Sequence, residues 1–376
     1  MTVLRWIGFT VGIALLVWTW LSVIGTLVVP RAIRSPISKV VDGGVDAVFR
    51  VATRRVVKFS RRDAILAWQA PLALLVRLLV WMASFLLAYG LVLLPFVPGA
   101  LRHAFIEAGS SMFTVGFAPP AGASSTVADY FAAYTGLIVV ALQIGYLPTL
   151  YAAFNKRETE VTLLMSRAGL PAWGPELLAR TRFGIDDTDA TPELIELFDT
   201  WERWSAEVAE SHTTYLSLVR LRSPRHLSHW LTSLLAIMDA AALHLSLAPT
   251  REPRLKARLC LRMGFVALQR IADAMGMATD MDPDPDRPIE LTYEQFVAAV
   301  DMLTGLGYPA QVSAEEAWPH FRGWRVNYER TALALAYAVD APPALWSGRR
   351  RWPSVPIAPD RPANRLATGA TKRKYP

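Results

Sequence analysis

Residues 98–127 read PGALRHAFIEAGSSMFTVGFAPPAGASSTV, and this stretch decides how the whole chain is read. Pro98 and Gly99 open a run from Ala100 to Phe113 that suits a short helix and is too short to cross a bilayer. Thr114-Val115-Gly116-Phe117 follows at once, then Ala118, Pro119, Pro120 and a Gly/Ser-rich link. Long uncharged runs flank it: Leu78–Leu101 has 24 residues and Tyr130–Asn155 has 26. A third such run of 25 residues, Trp6–Pro30, lies near the amino terminus. A hydrocarbon core takes roughly 20 apolar residues as a helix. Three spans are therefore expected, at about residues 6–30, 71–96 and 130–154, with the quoted stretch between the second and third.

Composition agrees with that reading. The 376 residues are 53% hydrophobic and only 19% charged, which excludes a disordered chain and argues against an ordinary soluble enzyme. The net charge of +7 is unevenly distributed. Residues 31–62 hold nine Arg/Lys against Asp42 and Asp46, and residues 346–376 hold eight against Asp360. Residues 153–345 hold 19 basic against 26 acidic residues. Basic residues just after a span mark the cytoplasmic side. The expected topology has the amino terminus outside, residues 31–70 inside, residues 98–127 outside and everything beyond Lys156 inside. No uniform basic face suggests nucleic acid. Cys260 is alone, so no intramolecular disulfide framework exists, and no CxxC metal spacing occurs.

The 31–70 segment reads as a basic amphipathic helix lying at the inner interface. Ile37, Val40, Val41, Val45, Val48, Phe49, Ala52, Val56 and Phe59 recur at helical spacing. Arg50, Arg54, Arg55, Lys58, Arg61 and Arg62 are its lipid-facing basic residues, with membrane lipid as partner. A helix packed on the soluble domain is the alternative. Arg77, the one charge inside an expected span, is read as snorkelling to the cytoplasmic interface, with a functional intramembrane charge as the other reading.

Outer helix, short helix, Thr-Val-Gly-Phe and inner helix together resemble the pore-loop potassium-channel superfamily. The resemblance covers about residues 70–155 and is carried by Ser110-Ser111-Met112-Phe113-Thr114-Val115-Gly116-Phe117. Tyr146 to Phe154 and Arg157-Glu158 look similar to bacterial potassium-channel-like proteins with a helical cytoplasmic domain. The resemblance implies a homotetramer, because one chain has one filter segment. It implies that Thr114, Val115, Gly116, Phe117 and Ala118 form the ion-conduction filter, and it makes Gly136 and Gly145 hinge candidates for gating. Backbone carbonyls would replace the hydration shell of a monovalent cation, K+ above all. Glycine is required where φ is positive. Where these filters carry a second glycine the chain has Ala118, and Pro119 replaces a frequent Asp. Ala in a left-handed position costs about 1–2 kcal/mol, so the loop is expected to depart from a potassium filter there.

Beyond Arg157 the periodicity is helical, with helices expected near 158–168, 192–219, 225–247, 254–276, 293–305 and 314–340. Thr191-Pro192 suits a helix start, and Thr292–Gln295 and Ser313–Glu316 match capping boxes. His226, His229, Asp239 and His244 read as ordinary core or surface groups rather than a metal or pH site. Asp280, Asp282, Asp284 and Asp286 lack the Gly and Glu of a calcium loop, having Pro285 and Leu291 in their places. Trp201, Trp204, Trp318 and Trp324 read as core. No metal, cofactor or catalytic constellation is found, and no GxGxxG nucleotide motif occurs.

The expected fold is an all-α membrane protein with three transmembrane helices, a re-entrant pore helix and filter-like loop, and an all-α cytoplasmic domain. Its parts are 1–30, the first span; 31–70, the interfacial segment; 71–155, the pore domain; 156–345, the helical domain; and 346–376, a basic disordered tail. The expected function is a tetrameric, potassium-channel-like cation channel in the cell membrane, not an enzyme. The alternative is a non-conducting receptor or scaffold whose helical domain binds a protein partner.

Overall fold

The computed structural model describes residues 2–29, 35–99, 101–181 and 190–360. Its regular elements there are all helices: α1 Thr2–Leu27, α2 Pro36–Thr53, α3 Phe59–Leu66, α4 Gln69–Leu93, α5 Leu101–Met112, α6 Ala123–Ala168, α7 Gly174–Arg180, α8 Thr191–Thr214, α9 Ser217–Arg220, α10 Trp230–Leu247, α11 Arg254–Ala274, α12 Tyr293–Gly305, α13 Ala314–Arg325 and α14 Glu329–Val339. Four stretches are long and apolar enough to cross a membrane: Thr2–Leu27, Phe59–Leu93, Ala123–Ala168 and Trp230–Leu247. The chain divides into two compact units, Met1–Ala52 with Ala67–Ala152, and Thr53–Leu66 with Ala153–Pro376.

In the first unit α1 packs along α4. Trp81 is fully buried and donates its indole N–H to the Ser22 hydroxyl (2.9 Å). Arg5 donates to the carbonyls of Leu94, Val97 and Gly99 just past the end of α4, where the helix presents unpaired oxygens and a negative dipole. Ser35 caps α2, accepting from Ser38 N–H (3.1 Å). Ile37, Val41, Val45 and Phe49 recur every four residues and form its buried face, while Val40 and Val48 stay exposed.

Arg77 does not snorkel. It is buried and bonds Asp42 of α2 (2.5 Å), because a carboxylate within reach compensates a charge better than a stretched side chain does. Gln69 bonds Asp46, which also pairs with Arg50 (2.8 Å).

The second unit surrounds α10, all 18 residues of which are buried. A helix that is apolar all round is enclosed either by lipid or by protein, which is how α10 meets the compositional test for a span without having an exposed face. Phe198, Trp201 and Trp204 of α8, Phe265 of α11, Phe296 of α12 and Phe321 of α13 join it in one core. Both expected capping boxes form, at Thr292–Gln295 and Ser313–Glu316. α8 starts at Thr191, but its cap position is Ala190, without a side-chain bond.

Three expectations are corrected here. Residues 31–70 are not one helix: α2 ends at Thr53, and Thr53–Leu66 belongs to the second unit. Arg62 is 1% exposed, donates to the Val56 carbonyl (3.0 Å) and faces Asp340 (3.6 Å), so it is not lipid-facing. Residues 346–360 are not a free tail. Arg350 is buried and donates to the carbonyls of Ala341, Pro342 and Ser347, and Ile357 bridges Ala344. Five guanidinium N–H groups can gather carbonyls that a turn leaves unpaired. Residues 361–376, like Arg31 and Arg34, lie outside the described residues.

Candidate functional site: a pore-like loop

α5 spans 12 residues, with Ala104, Ala108 and Met112 buried against its neighbours. Its last turn organises the loop that follows. The carbonyl of Ser110 accepts from the N–H groups of Val115 (2.9 Å) and Gly116 (3.2 Å), and that of Ser111 accepts from Thr114 N–H (3.0 Å). The Ser110 hydroxyl accepts from Ala118 N–H (2.9 Å). Further on, the Glu107 carboxylate accepts from Ala121 N–H (3.2 Å). Three positions within one turn of α5, Glu107, Ser110 and Ser111, thus hold the loop by its donors.

The acceptors are left free. The carbonyls of Thr114, Val115, Gly116 and Phe117 take no hydrogen bond from any described residue. The backbone alternates hand: φ is +54° at Thr114 and +73° at Gly116, and positive at neither Val115, Phe117 nor Ala118. Four of the five N–H groups from Thr114 to Ala118, all but that of Phe117, are thus spent on α5. This corrects one expectation. Ala118 carries no left-handed strain; the non-glycine residue in that region is Thr114, held by its bond to Ser111. Phe113, Val115 and Phe117 are about half to two-thirds exposed in the single chain (49%, 63% and 64%).

Behind the loop lie two carboxylates. Glu107 and Asp129 are both buried, at 4% and 6% exposure. The Asp129 oxygens meet no full hydrogen-bond geometry among the described residues, and the Ser111 hydroxyl and Glu107 carboxyl are their polar neighbours. Sequence reading missed Glu107, Ser110 and Asp129. The available signal was the one acid of the short helix, Glu107, and another acid, Asp129, at the very edge of an uncharged run. Of the hinge candidates, Gly136 has a packing reason: a Cβ there would stand 2.1 Å from the Met112 carbonyl oxygen, so glycine lets α6 cross the end of α5. Gly145 has open space around it. α6 is helical through both and through Pro148.

Other predicted residues are not brought together. His229 caps α10, its Nδ1 accepting from Leu231 N–H (3.2 Å). Asp239 bonds Arg325 (2.6 Å) and Tyr328 (2.8 Å), and His244 bonds Tyr308 (2.9 Å). Asp280 pairs with Arg287 and Asp286 with Arg322. Among the described residues no three His, Cys, Asp or Glu side chains group as for a metal. Burial pushes the Cys260 thiol above its ordinary range, away from the reactive thiolate. Of the six basic residues assigned to lipid, Arg54, Arg55, Lys58 and Arg61 are exposed, and no side-chain partner for them occurs among the described residues. Arg50 is half exposed with Asp46 beside it, and Arg62 is buried.

No protein-family model, curated protein or solved structure matches the chain.

Proposed function

We propose that the chain is one subunit of a homotetrameric, potassium-channel-like cation channel of the cell membrane, with α1, α4 and α6 as its spans. α5 is then the pore helix, α10 a core helix of a cytoplasmic domain, and Thr114–Ala118 the filter segment. The observation that carries this reading is the polarity of the loop: the N–H groups of Thr114, Val115, Gly116 and Ala118 bond back to α5, while the four carbonyls of Thr114–Phe117 have no partner among the described residues. Such backbone is tolerable at membrane depth only where protein or water covers it. A ring of carbonyls from several copies gives a dehydrated monovalent cation the oxygens it loses from water, and one chain supplies only part of a ring. Passive conduction asks for no nucleophile, base, metal or cofactor.

The test is potassium flux into liposomes holding the purified protein, with Gly116→Val beside it. Wild type is expected to conduct and to have the mass of four chains in mild detergent. Gly116→Val is expected to abolish flux while keeping helical content, because a β-branched residue resists a φ of +73°. A silent wild type of monomeric mass would favour a receptor or scaffold whose helical domain binds a protein partner. Flux unchanged by the substitution would move the ion path away from this loop.

A further inference from the structure

We infer that Arg54, Arg55, Lys58 and Arg61 form a binding surface for the phosphate headgroups of anionic lipid, carried by the helical unit. The inference rests on reading α4 as a membrane span; conduction is not required for it.

Four cations stand within eight residues, all exposed, with no side-chain partner among the described residues. Nearby acids are already engaged. Asp42 bonds Arg77, Asp46 bonds Arg50 and Gln69, and Asp63 is buried against Arg222 (2.6 Å). The local excess of positive charge is therefore uncompensated, which suits an anionic partner. Between them Val57 is 88% exposed, an apolar side chain that gains by entering an acyl boundary and gains nothing in water. Chain continuity selects the membrane as the source of anions. Only seven residues separate Arg61 from Gln69, where the apolar α4 begins, so the cluster is tethered close to a bilayer surface. A lipid surface attracts each nearby Lys or Arg by an amount worth about fivefold in affinity.

The placement of the cluster in the fold adds a consequence. Thr53–Leu66 belongs by contact to the helical unit, although the chain on both sides of it belongs to the other unit. Arg62 and Asp63 anchor the segment, to Asp340 and to Arg222. Arg222 in turn donates to the carbonyls of Val339 (2.6 Å) and Asp340 (2.8 Å). Headgroups gathered at residues 54–61 are thus held beside an ion-paired anchor that ties the segment to the end of α14. Lipid that binds the folded segment stabilises the helical unit by mass action.

The experiment uses full-length protein in mild detergent, incubated with short-chain phosphatidylglycerol or phosphatidylcholine and read by native mass spectrometry and thermal unfolding. Wild type is expected to retain phosphatidylglycerol over phosphatidylcholine and to unfold at higher temperature with it. The R54Q/R55Q/K58Q/R61Q variant should lose that preference, about fivefold for each residue removed. R254Q/R258Q/R262Q, which neutralises exposed cations of α11, should keep it. Equal retention by wild type and the 54–61 variant overturns the proposal. So does displacement by millimolar inorganic phosphate, which would make free anion the ligand. The four side chains hold nothing else in place, so the variant is expected to fold as wild type does without lipid. A protein that retains lipid in this way but passes no potassium would sink the channel reading alone.

Discussion

From Thr114 to Phe117 four successive carbonyls have no hydrogen-bond partner among the described residues, and three neighbouring apolar side chains are exposed. Around Arg325 the opposite holds. Its guanidinium is 1% exposed and donates to Asp239, Glu329 and the Trp346 carbonyl at 2.6, 2.8 and 2.6 Å. Arg157 is likewise buried, bonded to Glu158, His212 and the carbonyls of Leu218 and Leu221. The two buried guanidiniums have every nitrogen bonded within the helical unit; in the loop four N–H groups are bonded to α5 and the four carbonyls are not. In the proposed tetramer the open acceptors of the loop are completed by the ion, whereas the Arg325 and Arg157 guanidiniums are satisfied within one chain.

The largest effect that bears on this contrast is expected from Arg325→Ala. It strands two buried carboxylates, Asp239 and Glu329, and should cost the helical unit about 3–5 kcal/mol. Denaturant unfolding followed by tryptophan fluorescence measures it. A loss below about 1 kcal/mol would mean that the network is not as closed as its distances imply.

Acid should act next. Burial and the nearby Arg157 guanidinium hold the His212 imidazole well below its ordinary value, and burial with Arg222, Arg157 and Arg350 does the same for His229. Both are neutral in the fold and take up protons on unfolding once the pH drops below about 6.5. Their stabilisation is therefore complete above that value and is lost as the pH falls below it. Burial holds the His244 imidazole below its ordinary value too, and three such groups give a slope of about 4 kcal/mol per pH unit at most. Unfolding midpoints of the helical unit measured between pH 7.5 and 5 check this. His229→Gln should flatten the slope by about a third, and a midpoint independent of pH across that range would contradict the burial of these rings.

The smallest effect is expected within the loop. Ser110→Ala removes the acceptor of Ala118 N–H and leaves the Ser110 carbonyl on Val115 and Gly116. The cost is about 1 kcal/mol, too little to unfold anything. Hydrogen exchange should quicken at Ala118 and stay slow at Val115 and Gly116. Uniform loss of protection from Thr114 to Ala118 would show that the hydroxyl, not the backbone, holds the turn.

Much of the architecture was legible because it rests on local rules. Three of the four apolar stretches announce themselves as runs without charge. The boxes at Thr292 and Ser313 depend on residues three apart, and the tryptophans of α8 follow the helical repeat. Within the site, Thr114–Phe117 could be singled out by its glycine and its flanks. Its organiser Ser110 could not, because a serine near a helix end has many uses and only the path of the loop selects one. For α10 composition does not decide: it meets the length and hydropathy of a span, and only packing shows all its residues enclosed by protein.

Read along the chain, the residues establish that it is helical, that apolar helices dominate its first 155 residues, and that its basic charge is concentrated near residues 31–62 and at the end. Periodicity and composition are local quantities, so a linear reading captures them. Only the tertiary structure decided which charges are spent. Arg62 and Arg50 look alike in a basic run, yet one is buried against Asp340 and the other lies half exposed beside Asp46. Arg77 found Asp42 across 35 positions, Asp63 found Arg222 across 159, and Asp239 found Arg325 across 86. A buried ion needs a counter-ion within a few ångströms, and which residue arrives there is set by how the helices pack.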